Sequence, residues 1–285
     1  MKVDLHLHST ASDGRFSPEA LVCLAASSGL GIMAITDHDS VEGIAPALLA
    51  AKDFPSLKVI PGVELSANTL EDEIHILGYF IDYHDLELVN TLQKLRNSRR
   101  TRAQKMVEKL ANLGIYIDWE HVQELAGGGS MGRPHIAQAM VKRGYVLSVK
   151  EAFLKYIGRG GAAYVERERI TPVQAVKLVT KSGGLPVLAH PANINHLEQA
   201  LSQLQRVGLV GIEVYYDGYA PKVVKYLASL AHKYRLIACG GSDFHGIEGN
   251  DETPIGGANV PFECIEQLLS LAKHGMADLL VGSSG

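Results

Sequence analysis

Histidines and carboxylates recur at the ends of short apolar runs along this chain, and this arrangement limits the folds that it can adopt. The runs predict strands at residues 3–8, 32–36, 58–61, 74–80, 186–189, 211–215 and 236–239, with helix-like segments between them. Most are rich in Val, Ile and Leu without polar alternation, which is typical of parallel strands buried on both faces. Repeated strand–helix units predict an α/β protein, and a barrel if the sheet closes.

Local signals mark the ends of two helices between these strands. A Ser-Pro-Glu triplet starting at Ser17 provides an N-cap, a proline at the first helical position and an acid in the first turn, and Gly29 ends that helix. Thr171, which is followed by a proline, marks the start of the second helix, and Gly183 ends it.

The middle of the chain has a different pattern. Helix patterns cover residues 86–113, 136–143 and 149–157, and no convincing strand lies among them. The pattern predicts a helical insertion domain at residues 85–165 within a barrel domain made of residues 1–84 and 166–285. The Gly-Ser-Ser-Gly sequence of residues 282–285 predicts a flexible tail.

The polar residues of the predicted strands are placed to converge. His6 and His8 are two apart on one strand and point to one face. The others lie at or near strand ends: His38, Glu64, His75, His190, Asp243 and His245. Carboxyl ends of parallel barrel strands meet at one mouth, where active sites lie. A lone histidine there would be an ordinary hydrogen-bonded residue, but burying so many ionisable groups is costly unless cations compensate them.

The donor types predict which metal ions fit. Nitrogen and oxygen ligands without thiolate favour Zn, Mn or Fe over a structural cysteine-type zinc site. This many ligands exceed the needs of one ion, so two or three ions sharing bridging carboxylates fit better. Such a site suits phosphoester hydrolysis, because it supplies hydroxide at neutral pH and stabilises the attacking and leaving oxygens.

Composition narrows the class of protein. The 285 residues are 46% hydrophobic and carry a net charge of -4, so there is no global basic field of the kind that binds nucleic acid. The pattern of the sequence predicts neither a signal peptide nor a membrane-spanning segment. Widely spaced cysteines (Cys23, Cys239 and Cys264) suit a reduced protein. We therefore expect a cytoplasmic protein, not bound to membranes, with no obligate protein partner evident.

Several motifs together resemble the PHP (polymerase and histidinol phosphatase) domain, in family order over essentially the whole chain. They are Asp4-Leu5-His6-Leu7-His8, Thr36-Asp37-His38-Asp39, Gly62-Val63-Glu64, His75, Ala189-His190-Pro191 and Ser242-Asp243-Phe244-His245. The resemblance implies a distorted (β/α)7 TIM-like barrel of the PHP type with a trinuclear metal centre, in which Mn is favoured and Zn or Fe are alternatives.

The resemblance also implies the ligands of each ion. It assigns His6, His8, Glu64 and Asp243 to one ion, Glu64, His75 and His190 to a second, and Asp13, His38 and His245 to a third. Read alone, Ser12-Asp13-Gly14 would be a turn. Asp4 is then expected outside the ligand set, hydrogen-bonded to a ligand histidine.

Within the family, the TrpH/YciV-like group is the most similar, and it includes 3′,5′-nucleoside bisphosphate phosphatases and the 5′→3′ exoribonuclease RNase AM. The likeness rests on the single-domain length, the helical insertion and the segments at residues 132–137, 153–156, 158–161 and 164–165. It implies that Arg133 and His135 reach the substrate phosphate from the insertion, where the planar arginine fork can pair two oxygens. Read alone, Arg133 would be a solvated surface residue.

One stretch departs from that group. After His190-Pro191 the group continues with Gly-Arg-Tyr, whereas this chain has Ala192-Asn193-Ile194. The arginine that would pair with a second substrate phosphate is therefore missing, and Arg159 or Lys155 are the candidates to replace it.

The sequence thus predicts a metal-dependent phosphoric ester hydrolase acting on a phosphorylated nucleotide or short RNA. The expected activity is that of a 3′,5′-nucleoside bisphosphate phosphatase, a 5′→3′ exonuclease on short RNA, or both, with either His190 or a metal-bound water as the proton donor to the leaving group. Alternatives are a histidinol-phosphate or other small phosphomonoester phosphatase, and a non-catalytic PHP regulatory module. A run of cations is read as a solvated helix face or a nucleic-acid track: Arg96, Arg99, Arg100, Arg102 and Lys105.

Overall fold

The computed structural model describes residues 1–69, 73–127, 131–166, 170–216, 218–247 and 253–272, and the tail predicted at residues 282–285 lies outside these ranges. A seven-stranded sheet pairs in chain order. Its strands are β1 Lys2–Asp4, β2 Leu30–Ile35, β3 Lys58–Asn68, β4 Glu73–Tyr79, β5 Leu185–Leu188, β6 Gly211–Tyr216 and β7 Ile237–Gly241.

The two outer strands approach each other and nearly close the sheet into a barrel. Leu7, just past β1, forms a parallel bridge with Phe244, just past β7. The His8 amide donates to the Phe244 carbonyl at 3.0 Å. This confirms the predicted distorted barrel.

The prediction of a parallel sheet is wrong for one strand. β4 pairs antiparallel with both β3 and β5, whereas the other neighbouring strands pair in parallel. Only residues 69–72 separate β3 from β4, and a parallel partner would need a crossover of a dozen or more residues. As a result, the beginning of β4 lies at the mouth of the barrel.

Helices surround the barrel and fill the segment between β4 and β5. They are α1 Pro18–Ser27, α2 Ile44–Ala50, α3 Leu86–Asn112, α4 Trp119–Ala126, α5 Arg133–Lys142, α6 Val149–Ala152, α7 Pro172–Lys181, α8 Leu197–Gln205, α9 Pro221–Lys233 and α10 Glu263–Leu271. The Ser17 hydroxyl caps α1 and Thr171 forms a capping box at α7, as predicted. None of the described helices has the length and hydropathy of a membrane span.

The buried hydrophobic side chains of the described residues form four clusters, and two of them distinguish the barrel from the helical segment. One draws buried side chains from the barrel strands and from α10, among them Val3, Leu77 and Ile265. The other lies wholly within residues 103–163 and includes Met106 and Ile136. A separate core is what an inserted helical unit requires, and the domain boundaries at residues 84/85 and 165/166 stay a prediction.

Candidate metal centre

The barrel mouth gathers the side chains that the sequence pattern singled out. His6 and His8 follow β1, and their side chains are buried. His38 follows β2, and its backbone forms an isolated parallel β-bridge with that of Glu64. Glu64 lies inside β3, which extends beyond its predicted end. His75 lies near the beginning of β4 and pairs with Ser66. Its place at the mouth follows from the reversed direction of β4, which the sequence analysis did not predict.

Glu64 occupies the centre of this cluster. Its side chain is 1% exposed. Its two oxygens lie 2.7–3.2 Å from the nearest ring nitrogens of five histidines: His6, His8, His38, His75 and His190. A carboxylate that faces so many imidazoles from several strands could serve as a ligand to more than one ion.

Three sets of donor atoms converge, and within each set the atoms lie within 4.8 Å of one another. The sets are His6, His8, Glu64 and Asp243; His8, Asp13, His38 and His245; and His38, Glu64 and His75. His190 adjoins the third set, with its Nε2 3.2 Å from both Glu64 Oε1 and His75 Nδ1. All nine predicted ligands therefore lie together, and their assignment to particular ions stays a prediction.

The donor atoms themselves indicate that cations fit here. Several are buried and have no hydrogen-bond partner in the described part of the chain: His6 Nε2, His8 Nε2, Asp13 Oδ1, His38 Nδ1, Glu64 Oε2 and His75 Nε2. Leaving a buried polar atom unsatisfied costs about 1–3 kcal/mol. Three of these nitrogens, His6 Nε2, His8 Nε2 and His38 Nδ1, lie 2.9–3.2 Å from Glu64 Oε2 without forming hydrogen bonds with it. Divalent ions with nitrogen and oxygen ligands would satisfy this arrangement.

Charge interactions inside the cluster shift the pKa values in opposite directions. Burial raises the pKa of Glu64, Asp13 and Asp243, but the surrounding histidines outweigh it and hold each pKa well below its usual range. Burial lowers the pKa of His75 and His245, but neighbouring carboxylates raise them to about 9 and about 10. We therefore expect His75 and His245 to carry protons at neutral pH when no ion is bound.

We expect the affinity for Mn²⁺ to rise between pH 6 and pH 9, because His75 and His245 must lose their protons to bind an ion. Each displaced proton contributes up to about tenfold per pH unit while pH lies below the pKa of that histidine. Calorimetric titration at pH 7.5 in two buffers of different ionisation enthalpy measures the proton release directly. A binding enthalpy independent of the buffer would contradict this expectation.

Glu213 is a buried residue of the site that the sequence analysis missed. It lies in β6 with an exposure of 0%, and its Oε1 is 3.0 Å from His6 Nδ1. Its Oε2 accepts a hydrogen bond of 2.7 Å from the amide of His190, whose φ is +28°. Glu213 thus directs His6 Nε2 toward the cluster and holds a backbone conformation that non-glycine residues rarely adopt. The available signal was a carboxylate inside an apolar strand, which needs a buried partner.

Replacing Glu213 by glutamine should lower the affinity for the ion held by His6 by about 10–100-fold. The amide keeps the volume of the side chain but loses the charge that orients the imidazole. A competition titration with a chromophoric chelator measures the change, with Glu120→Gln on α4 as a control at a residue outside the cluster. Equal affinity in wild type and Glu213→Gln would assign Glu213 to folding alone.

Asp4 and Tyr216 are not among the predicted ligands, but each forms a hydrogen bond with one of them. Asp4 is buried and accepts backbone hydrogen bonds from His6 at 3.3 Å, Ser242 at 2.9 Å and Gly256 at 2.7 Å. The predicted contact with a ligand histidine is therefore made to the main chain of His6 and not to its ring. Tyr216 donates its hydroxyl to Asp243 Oδ2 at 2.8 Å.

The beginning of α5 brings Arg133 and His135 to the edge of the cluster. Arg133 donates to Glu73 at 2.7 Å, and Glu73 lies 3.7 Å from His75 Nε2. The guanidinium carbon of Arg133 also lies 5.2 Å from the ring centre of Phe153. Arg133 is therefore not the solvated surface residue that it would be expected to be without the family resemblance. His135 is 3% exposed and its Nδ1 accepts from the Gly132 amide at 3.0 Å, which leaves Nε2 to carry the proton of the neutral ring.

The two cations proposed to replace the missing arginine lie at the surface. Lys155 forms an ion pair with Glu151 at 2.6 Å, one helical turn away, and Arg159 is exposed. A substrate-binding role for either residue stays a prediction.

The reading of the α3 cations as a solvated face is wrong for two of them. Arg99 and Arg102 are 6% and 4% exposed. Arg99 donates to Asp39 Oδ2 at 2.7 Å and to the Ser66 hydroxyl, so α3 is fixed to the barrel mouth through a buried ion pair. Helical spacing alone could not show this, because the partner of Arg99 is distant in sequence.

The protein is therefore a nearly closed barrel whose mouth carries a candidate site for divalent ions, built from nitrogen and oxygen donors. The family model of the PHP domain matches residues 4–152. The chain is 38% identical to the 5′-3′ exoribonuclease Rnm of Escherichia coli, over 85% of this chain and 84% of that protein. It is 32% identical to a 3′,5′-nucleoside bisphosphate phosphatase of Chromobacterium violaceum, over 85% and 87%.

A solved structure from Bifidobacterium adolescentis superposes with a TM-score of 0.87 at 26% identity, covering 96% of this chain and 98% of that one. Metal-dependent phosphoesterase activity is ascribed to that protein. The chain belongs to the PHP domain family.

Proposed function

We propose that this protein is a metal-dependent phosphoesterase that hydrolyses phosphate esters of nucleotides. Its substrates would be 3′,5′-nucleoside bisphosphates, short 5′-phosphorylated RNA, or both. The observation that carries the proposal is the convergence of nine nitrogen and oxygen ligands around Glu64, beside Arg133 at the start of α5. The names of the relatives in Escherichia coli and Chromobacterium violaceum support the nucleotide assignment.

In this proposal the cluster would hold three divalent ions, with Mn²⁺ favoured and Zn or Fe as alternatives. His6, His8 and Asp243 would hold one ion, His75 and His190 a second, and Asp13, His38 and His245 a third, and Glu64 would serve the first two. Bound ions supply hydroxide at neutral pH and neutralise charge on the attacking and leaving oxygens.

The protein side chains position the phosphate and handle protons. Arg133 exchanges its pairing with Glu73 for two non-bridging phosphate oxygens, and His135 donates from Nε2 to the same group. The leaving ribose oxygen would take a proton either from water or from His190, whose side chain is 27% exposed, and His190 could donate one only while it is not holding an ion. These contacts act by positioning and electrostatic stabilisation. A cytoplasmic location accords with the free cysteines Cys23, Cys239 and Cys264.

A substrate panel tests the proposal. Turnover is measured with Mn²⁺ on a 3′,5′-bisphosphate nucleoside, a 5′-mononucleotide, 5′-phosphorylated RNA and histidinol phosphate. We expect kcat/KM for the bisphosphate or the RNA to exceed that for histidinol phosphate by at least about tenfold. Faster turnover of histidinol phosphate would move the assignment to small phosphomonoesters, and no turnover of any ester would refute the phosphoesterase.

A further inference from the structure

A cleft of about 680 Å³ runs along one side of α3, outside the cluster of ligands. Two exposed lysines, Lys94 and Lys105, line it together with the buried Arg102. Glu166 is the acid among its described lining residues, and Ser98 and Thr101 add hydroxyl groups. The volume falls within the range of ligand-binding pockets, about 300–1,000 Å³, and its charge and hydroxyls suit an anionic ligand.

The cleft begins close to the barrel mouth. Arg99, whose guanidinium contacts Asp39 and Ser66, precedes Arg102 by one helical turn, which is about 5 Å along the axis. Ser66 pairs with the ligand His75 across β3 and β4. Glu166, which lines the cleft, lies 3.5 Å from the side chain of Asn68, two residues beyond Ser66 along β3. A polymer with its terminal phosphate at the cluster could therefore continue into the cleft.

The lining chemistry favours a sugar–phosphate backbone over a base or a peptide. Lysine, arginine and hydroxyl groups are the side chains that contact phosphates and sugars. The described lining residues include no aromatic side chain on which a base could stack. On the other side of α3, a smaller cleft of about 280 Å³ contains Arg96, which already pairs with Glu42 at 3.0 Å.

We propose that this cleft binds the phosphodiester backbone of RNA on the 3′ side of the nucleotide held at the cluster. The inference rests on the proposed function and makes it more specific. The cleft provides affinity for an oligonucleotide without reading its sequence, and a mononucleotide bisphosphate does not reach it. Residues of α3 would then raise the affinity for longer substrates, whereas other groups act on the scissile phosphate.

The experiment compares wild type with the double variant Lys94→Ala/Lys105→Ala. Both lysines are exposed, and alanine is favourable in a helix, so α3 should remain folded. The matched control is Lys222→Ala/Lys225→Ala, which removes two exposed lysines from α9. Binding of a fluorescent 5′-phosphorylated RNA of six nucleotides is followed by anisotropy in EDTA at several salt concentrations. Turnover of the RNA and of a 3′,5′-bisphosphate nucleoside is measured with Mn²⁺.

We expect the Lys94/Lys105 variant to bind the RNA about tenfold more weakly, with the slope of log affinity against log salt reduced by about 1.4, or about 0.7 for each phosphate that a lysine no longer neutralises. Its kcat/KM on the bisphosphate should stay within about twofold of wild type, and the α9 control should match wild type throughout. Unchanged RNA binding in the Lys94/Lys105 variant would overturn the proposal. An equal loss on RNA and bisphosphate would also overturn it, by placing the lysines at the reaction centre. Because anisotropy needs no turnover, it tests the cleft even if the proposed activity is not found.

Discussion

Replacing Glu64 by glutamine will reduce phosphoester turnover by about a thousandfold or more and will lower the metal content. The substitution keeps the volume of a fully buried side chain but removes the negative charge at the centre of the cluster. Its amide would also point hydrogen atoms at imidazole nitrogens that now lie 2.7–3.2 Å from a carboxylate. Cations would then lose their shared ligand and meet a group that cannot bridge them.

Metal analysis by mass spectrometry and turnover on a 3′,5′-bisphosphate nucleoside check this expectation. The control is Glu42→Gln, because Glu42 lies on the same side of the barrel but its side chain is 59% exposed and pairs with Arg96. That variant should stay within about twofold of wild type, since exposed ion pairs contribute little. Wild-type metal content and turnover in Glu64→Gln would remove Glu64 from the site.

Replacing Arg133 by alanine should lower kcat/KM by about 100-fold while the metal content is retained. A charge-assisted pair of hydrogen bonds to phosphate is worth roughly 1.5–3 kcal/mol. Arg133→Lys should recover only part of the loss, because an ammonium group cannot offer two parallel donors to the phosphate. The matched control, Lys142→Ala, removes an exposed cation from the other end of α5.

Steady-state kinetics and metal analysis on the same protein samples separate the outcomes for Arg133. Arg133 pairs with Glu73, which lies close to His75, so Arg133 could also act by holding the predicted ligand His75 in position. Loss of ions in Arg133→Ala would assign Arg133 to holding the cluster, and unchanged kcat/KM would remove it from phosphate recognition.

The features that the sequence predicted well are those with local signals. His6 and His8 are two residues apart on an extended segment, so their common direction follows from the period of a strand. The starts of α1 and α7 were marked by capping residues that contact the first turn of their own helix. The clustering of histidines and carboxylates at predicted strand ends indicated a cation site at the mouth. That inference did not require knowing which of these residues contact one another.

The features that the sequence analysis missed depend on contacts between distant residues. The direction of β4 depends on its pairing with both β3 and β5, although the short connection from β3 was a hint. Glu213 contacts His6, 207 residues away along the chain. Arg99 contacts Asp39, 60 residues away, and is buried for that reason. Helical or strand periodicity carries no information on such partners.

If the cluster around Glu64 holds the divalent ions that phosphoester hydrolysis requires, removing those ions must abolish turnover. Metal content and phosphate release from a 3′,5′-bisphosphate nucleoside should be measured on the same protein before chelation, after chelation and after adding Mn²⁺. We expect two or three ions per chain, loss of turnover with their removal, and recovery when Mn²⁺ is restored. Full turnover in protein that holds less than about 0.1 ion per chain would contradict this expectation.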